Sequence, residues 1–111
     1  ASYDQVVAYC KSKNGTLCYS SNYSIGVNIF FKINALLARY MQPHTQYDVT
    51  MEETHHVYKK DAPSGTAISI AEGILQNLGR KTSWTANIEK TSPDVLYIDH
   101  KRMHNEPGIH E

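Results

Sequence analysis

A chain of 111 residues, 41% hydrophobic and 20% charged, has the length of one domain and room for a modest core. Its basic and acidic side chains cancel to a formal net charge of zero, which removes any general electrostatic case for nucleic acid or an anionic membrane as partner. No apolar run, Ile29–Phe31 included, is long enough to span a bilayer, and no signal peptide is expected.

In chain order, Ser2 or Asp4 can cap a short helix carrying Tyr3, Val6, Val7 and Cys10 at helical spacing. Asn14-Gly15 stops it, and Thr16–Ser20 then reads as a short buried strand. Cys10 and Cys18 form neither a disulfide framework nor a metal-ligand pattern, and read as small buried hydrophobes in a reducing, cytoplasmic compartment. The polar run from Ser20 to Ser24 is a hinge, with Ser24 placed to cap the helix from Ile25 to Met41. In that helix Ile29, Ile33, Leu36, Leu37 and Tyr40 follow the helical period and are expected to face the core, with Lys32 and Arg39 on the wetter side. Pro43 ends it.

Tyr47, Val49 and Met51 alternate with Asp48, Thr50 and Glu52, the period of a strand with one buried face, which delivers the chain to His55. A second helix is predicted from about Thr66 to Leu78, with Ile70, Ala71, Ile74, Leu75 and Leu78 inward and Gly79 as C-cap. Thr82–Asp94 is polar loop with at best a short strand. Val95–Arg102 reads as strand, and Asn105–Gly108 as a turn into a further one. This order predicts an α+β fold with helices packed on one face of a mixed or antiparallel sheet. The chain opens without an initiator Met and stops where a strand is due, so a domain or fragment of a longer protein is expected.

The chemistry concentrates in Glu53–Ala67. Fifteen residues hold two imidazoles (His55, His56), two lysines, two carboxylates and a Pro-Ser-Gly-Thr turn. Imidazole and ammonium groups can supply protons, and Ser64, Gly65 and Thr66 at a helix start expose N–H groups to a carboxylate or phosphate. Gly65 lets an anion approach the backbone with no Cβ in the way. Taken singly, such a turn is a cap, a strand-end histidine is a surface residue, and Lys59-Lys60 is solvated charge. Their coincidence points to a site for a small acidic substrate, though spacing does not name the reaction. None of the six histidines has the His-Glu-x-x-His spacing, no Cys-x-x-Cys occurs, and no Gly-x-Ser-x-Gly elbow is present. No metal site is expected, and a zinc-binding protein is a distant alternative.

The run Glu53-x-His55-His56-x-x-Lys59-x-Asp61-Ala62-Pro63-Ser64-Gly65-Thr66-Ala67 resembles the signature of 4-hydroxy-tetrahydrodipicolinate reductase (dihydrodipicolinate reductase), an NADH- or NADPH-dependent enzyme family of lysine and diaminopimelate biosynthesis. Ser20–Asn28 is similar to that family's junction between cofactor and substrate domains, and Arg102 with Gly108 and His110 resembles a later strand-turn-strand. The resemblance implies that residues 1–21 are a remnant helix, strand and hinge of a Rossmann-like cofactor domain. Residues 22–111 would be a substrate-binding and oligomerisation domain, truncated at its C-terminal end, from a homotetramer. By position, His55 would be the general acid/base and Lys59 the supporting proton donor. His56, Ser64, Gly65 and Thr66 would bind a small dicarboxylate substrate, and Ser20, Ser21, Asn22 and Tyr23 would meet the nicotinamide end of the cofactor. The family's glycine-rich loop has no counterpart here, so the chain alone is expected to be inactive. The competing reading is a stand-alone anion-binding or oligomerisation module without catalysis.

Overall fold

Local capping sets the helices. The computed structural model describes residues 2–111. Helix α1, Tyr3–Ser12, begins in a capping box: the Ser2 side chain accepts from the Gln5 N–H while the Gln5 side chain reaches back to the Ser2 N–H. It is capped by Lys13, and Asn14 just beyond lies in the left-handed region with φ 52°. The strand predicted for Thr16–Ser20 does not form. A strand needs a neighbouring ladder to satisfy its backbone, and the described sheet offers none beside these residues. The cysteines also depart from expectation, since Cys10 is half-buried and Cys18 exposed, both as free thiols.

Helix α2, Ile25–Met41, has the predicted bounds, with the Ser24 side chain accepting from the Val27 N–H. Its buried face is not the predicted one. Ile29, Ile33, Leu36, Leu37 and Tyr40 are all about half exposed or more, and Ala38 is the buried residue of the helix. The helix instead turns Phe31, Asn34, Ala35, Ala38 and Met41 inward, toward helix α3, Gly65–Leu75. Close approach decides this. A Cβ on Gly73 would lie 3.3 Å from Asn34 Nδ2 and 4.0 Å from Ala35 Cβ, so small residues on both helices make the contact, and the bulky stripe is left outside.

The sheet holds β1 (Met51–His56), β2 (Ser83–Thr85), β3 (Val95–Met103) and β4 (Ile109–His110) in the order β2-β3-β1-β4. Strand β3 runs parallel to both β1 and β2, and β4 pairs antiparallel with β1, so the sheet is mixed. Two parallel neighbours need a crossover, and α3 lies within the one from β1 to β3. Its Ala67, Ile70, Ala71 and Ile74 pack with Leu78 over Met51, Leu96 and Ile98 to form the core. The fold is α+β, with the helices on one face of a mixed sheet. None of the described helices is long and apolar enough to cross a membrane.

Two boundaries differ from the sequence pattern. Strand β1 starts at Met51 rather than Tyr47, because side chains take up the backbone before it. Arg80 donates to the carbonyls of Met41, Gln42 and Tyr47, and Asp48 accepts from the Val49 N–H. Lys81, almost fully buried, bridges the Asp48 carboxylate at 2.9 Å and the Pro93 carbonyl at 3.0 Å, and this bond holds the Asp48 carboxyl below its usual range. Helix α3 stops at Leu75, not Leu78. The N–H groups of Asn77 and Leu78 both turn onto the Ile74 carbonyl, and Gly79 N–H goes to the Gln42 side chain instead of closing a C-cap.

Candidate active site

Alternate residues of a strand share a face, so Met51, Glu53 and His55 all look toward the helix layer. Met51 enters the core; Glu53, 1% exposed, ends beneath the N-terminus of α3. There its Oε1 accepts from the Ser64 N–H at 3.0 Å, at the positive end of the helix dipole. Burial pushes the Glu53 carboxyl up, but the Ser64 hydrogen bond and the charges of His55 and His110 outweigh it, and the net shift is downward. Ser64 is buried as the N-cap of α3, its Oγ accepting from the Ala67 N–H at 3.1 Å and lying 3.1 Å from His110 Nε2.

The second carboxylate oxygen, Glu53 Oε2, lies between two imidazoles, 3.3 Å from His55 Nε2 and 3.4 Å from His110 Nε2. Neither approach is aligned as a hydrogen bond, which leaves Oε2 and His55 Nε2 buried and unpaired. The two rings meet edge to face with centroids 5.1 Å apart. Burial, chiefly, lowers the His110 pKa, and the charges of His55 and Lys59 add to this against the pull of Glu53. On its other side His55 Nδ1 is 3.3 Å from the Pro107 carbonyl. Gly108 closes over the ring: a Cβ there would fall 2.8 Å from His55 Cε1 and 3.0 Å from Nδ1. Gly108→Ala is therefore expected to cost roughly 1–3 kcal/mol through overpacking, read from a denaturant titration. An unchanged midpoint would show that the turn yields freely.

Lys59 sits in the loop after β1, its ammonium held by both oxygens of Asp61 at 2.9 Å, and this bond draws the Asp61 carboxyl down. Arg102, beside His55 in the β1–β3 register, clamps the loop through the carbonyls of Lys59 (3.4 Å) and Asp61 (2.7 Å). By strand alternation His56 takes the opposite face from His55, with its ring 6.3 Å from that of Tyr58 and its Nδ1 buried without a partner.

Past Ser64, the N–H groups of Gly65 and Thr66 begin the helix and have no intrahelical acceptor, so they form the free part of the cradle. The polar segment expected near a cofactor is seated against it. Ser21 and Ser69 share a hydrogen bond of 2.7 Å, Asn22 Nδ2 lies 3.5 Å from Thr66 Oγ1, and a Cβ on Gly65 would be 3.7 Å from Ser21 Cβ. Ser20 and Asn22 bond to one another, and Tyr23 donates to the Cys18 carbonyl while its ring is exposed. The structure thus brings Ser21 and Asn22 to Gly65 and Thr66, and Ser64 to His55 through Glu53.

Glu53 and His110 are the members that spacing did not single out. Glu53 stands in the motif without a role, and His110 lies far along the chain, delivered by the pairing Glu53↔His110 between β1 and β4. Among the described residues, Glu53, His55 and His110 each bring one nitrogen or oxygen atom within 4.8 Å of the others. Chemically the arrangement offers proton-bearing side chains beside a helix N-terminus that can fix a carboxylate.

Residues 26–111 match the family described as Dihydrodipicolinate reductase, C-terminus. A 4-hydroxy-tetrahydrodipicolinate reductase of Christiangramia forsetii is 42% identical over 101 residues, covering 91% of this chain and 41% of that protein. One from Methanococcoides burtonii is 53% identical over 70 residues, 62% of this chain and 26% of the relative. The solved dipicolinate-bound dihydrodipicolinate reductase of Paenisporosarcina sp. TG-14 is similar with a TM-score of 0.59 and 28% identity, over 80% of this chain and 34% of that one. The chain spans about two fifths or less of the length of these relatives.

Proposed function

The chain belongs to the dihydrodipicolinate reductase family, and on that footing we propose that it is the substrate-binding part of an NAD(P)H-dependent reductase. The reaction is reduction of 4-hydroxy-tetrahydrodipicolinate to tetrahydrodipicolinate, in which a hydride and a proton enter and the 4-hydroxyl leaves as water, in cytoplasmic lysine and diaminopimelate biosynthesis. Residues 22–111 act as the substrate and oligomerisation domain of a homotetramer, and residues 1–21 as the end of the cofactor domain. The observation that carries this reading is the single cluster formed by His55, the Ser64–Thr66 helix start and the Ser21–Asn22 segment.

In this proposal the N–H groups of Gly65 and Thr66 hold one substrate carboxylate at the positive end of α3. Thr66 Oγ1 contributes at its margin, while His56, on the far face of β1 beside Tyr58, stands apart from this cluster. The polar segment Ser20–Tyr23 fits the nicotinamide end of the cofactor, since it presents hydroxyl and amide groups and an exposed aromatic ring next to the cradle. When bound, the cofactor supplies the hydride. His55 and Lys59 supply the proton that the reduced substrate must gain, with Asp61 and Arg102 fixing the Lys59 loop.

Dipicolinate, the molecule bound in the solved relative, is the probe. We expect titration calorimetry to detect its binding, and Gly65→Asp, which sets a like charge at the cradle, to weaken it at least about tenfold. Equal affinity for the two proteins would remove Gly65 and Thr66 from the site.

A further inference from the structure

We infer that Glu53 is a positioning residue of the reaction: together with the Pro107 carbonyl it fixes which ring nitrogen of His55 carries the exchangeable proton, and it shares that proton with His110. The inference rests on the proposed role of His55 and adds two residues to it.

A carbonyl oxygen can only accept, so Pro107, 3.3 Å from His55 Nδ1, reserves that nitrogen for an N–H. The proton that His55 gains or gives up is then the one on Nε2, the nitrogen 3.3 Å from Glu53 Oε2. The carboxylate cannot follow the ring, because its Oε1 is tied to the Ser64 N–H and the whole side chain is buried. Oε2 stands almost equidistant from His110 Nε2, at 3.4 Å, with a straight hydrogen bond to neither ring. A small rotation of either imidazole commits the oxygen to whichever ring holds the proton. His110 has its own fixed partner, Ser64 Oγ, at 3.1 Å. The charged and titratable groups around His55 are Glu53 on its own strand, His110 on β4, Lys59 with Asp61 on the following loop, and Arg102 on β3. Among these Glu53 is the buried anion in contact with the ring, since Asp61 is engaged by Lys59.

The test compares steady-state kinetics of the full-length reductase and its Glu53→Gln, His110→Gln and His55→Ala variants from about pH 5 to 9, spanning the imidazole range. Glu53→Gln keeps the shape and the bond to Ser64 while removing the charge. It is expected to lower kcat on the order of 100-fold with KM little changed. Loss of the anion makes an imidazolium harder to hold, so the imidazole limb of the pH–kcat/KM profile moves to lower pH. A structural role alone would leave that limb in place. Removing the competing ring in His110→Gln should move the limb the other way, and this variant serves if Glu53→Gln does not fold. Wild-type kcat and an unmoved limb in the folded glutamate or histidine variant would overturn the inference, provided His55→Ala is inactive. Full activity of His55→Ala would instead sink the catalytic role of His55 itself.

Discussion

Replacing both His55 and Lys59 by alanine in the full-length reductase is expected to lower kcat by about 10²- to 10⁴-fold while dipicolinate still binds. The two effects separate because the groups do different work. In the proposed site Gly65 and Thr66 hold a carboxylate through backbone N–H groups at the start of α3, which neither substitution touches. His55 and Lys59 are the side chains able to bring a proton near the cradle: one lies under Gly108, and the other is tethered to Asp61 on a loop clamped by Arg102. Steady-state turnover set beside calorimetric affinity checks this. Unchanged turnover would mean that the proton comes from elsewhere, and lost affinity would mean that the substitutions disturbed the helix start.

Leu96→Ala is the second large effect, on stability. Leu96 and Ile98 have no exposed surface and lie in the cluster that α3 covers. The described core is small, so a cavity at Leu96 has few neighbours able to relax into it. We expect a loss of about 2–5 kcal/mol, a large share of the roughly 5–15 kcal/mol that holds a domain folded. Leu36→Ala is the control: its side chain is about half exposed on α2 and should cost within about 0.5 kcal/mol. Urea titrations of the two variants compare them directly, and similar losses would mean that α2 buries its outer stripe in solution.

The contrast between those leucines marks what the sequence made legible. Helix α3 and strand β3 could be read because Ser64 caps visibly and Ile70, Ala71 and Ile74 keep a narrow period. Helix α2 has correct ends and an unreadable face. Its apolar residues occupy too much of the circumference, and the choice falls to Ala35, Ala38 and Gly73, which a hydrophobic period passes over. Thr16–Ser20 has a strand's composition and no strand to pair with. At the site, His55, Lys59 and the Ser64–Thr66 turn stand close in the chain and were legible together. Glu53 and His110 were not, because their roles arise from the β1–β4 pairing and from a carboxylate that turns inward beneath a helix end.

The outer stripe of α2 has one more consequence, for how copies of the chain behave in concentrated solution. Ile29, Phe30, Ile33, Leu36, Leu37 and Tyr40 present a continuous oily ridge, on a molecule whose formal charges cancel near neutrality. With no long-range repulsion to keep copies apart, encounters there are governed by the ridge. Acidity then becomes the practical control on clumping, since moving the solution below the point of charge balance gives every copy the same sign.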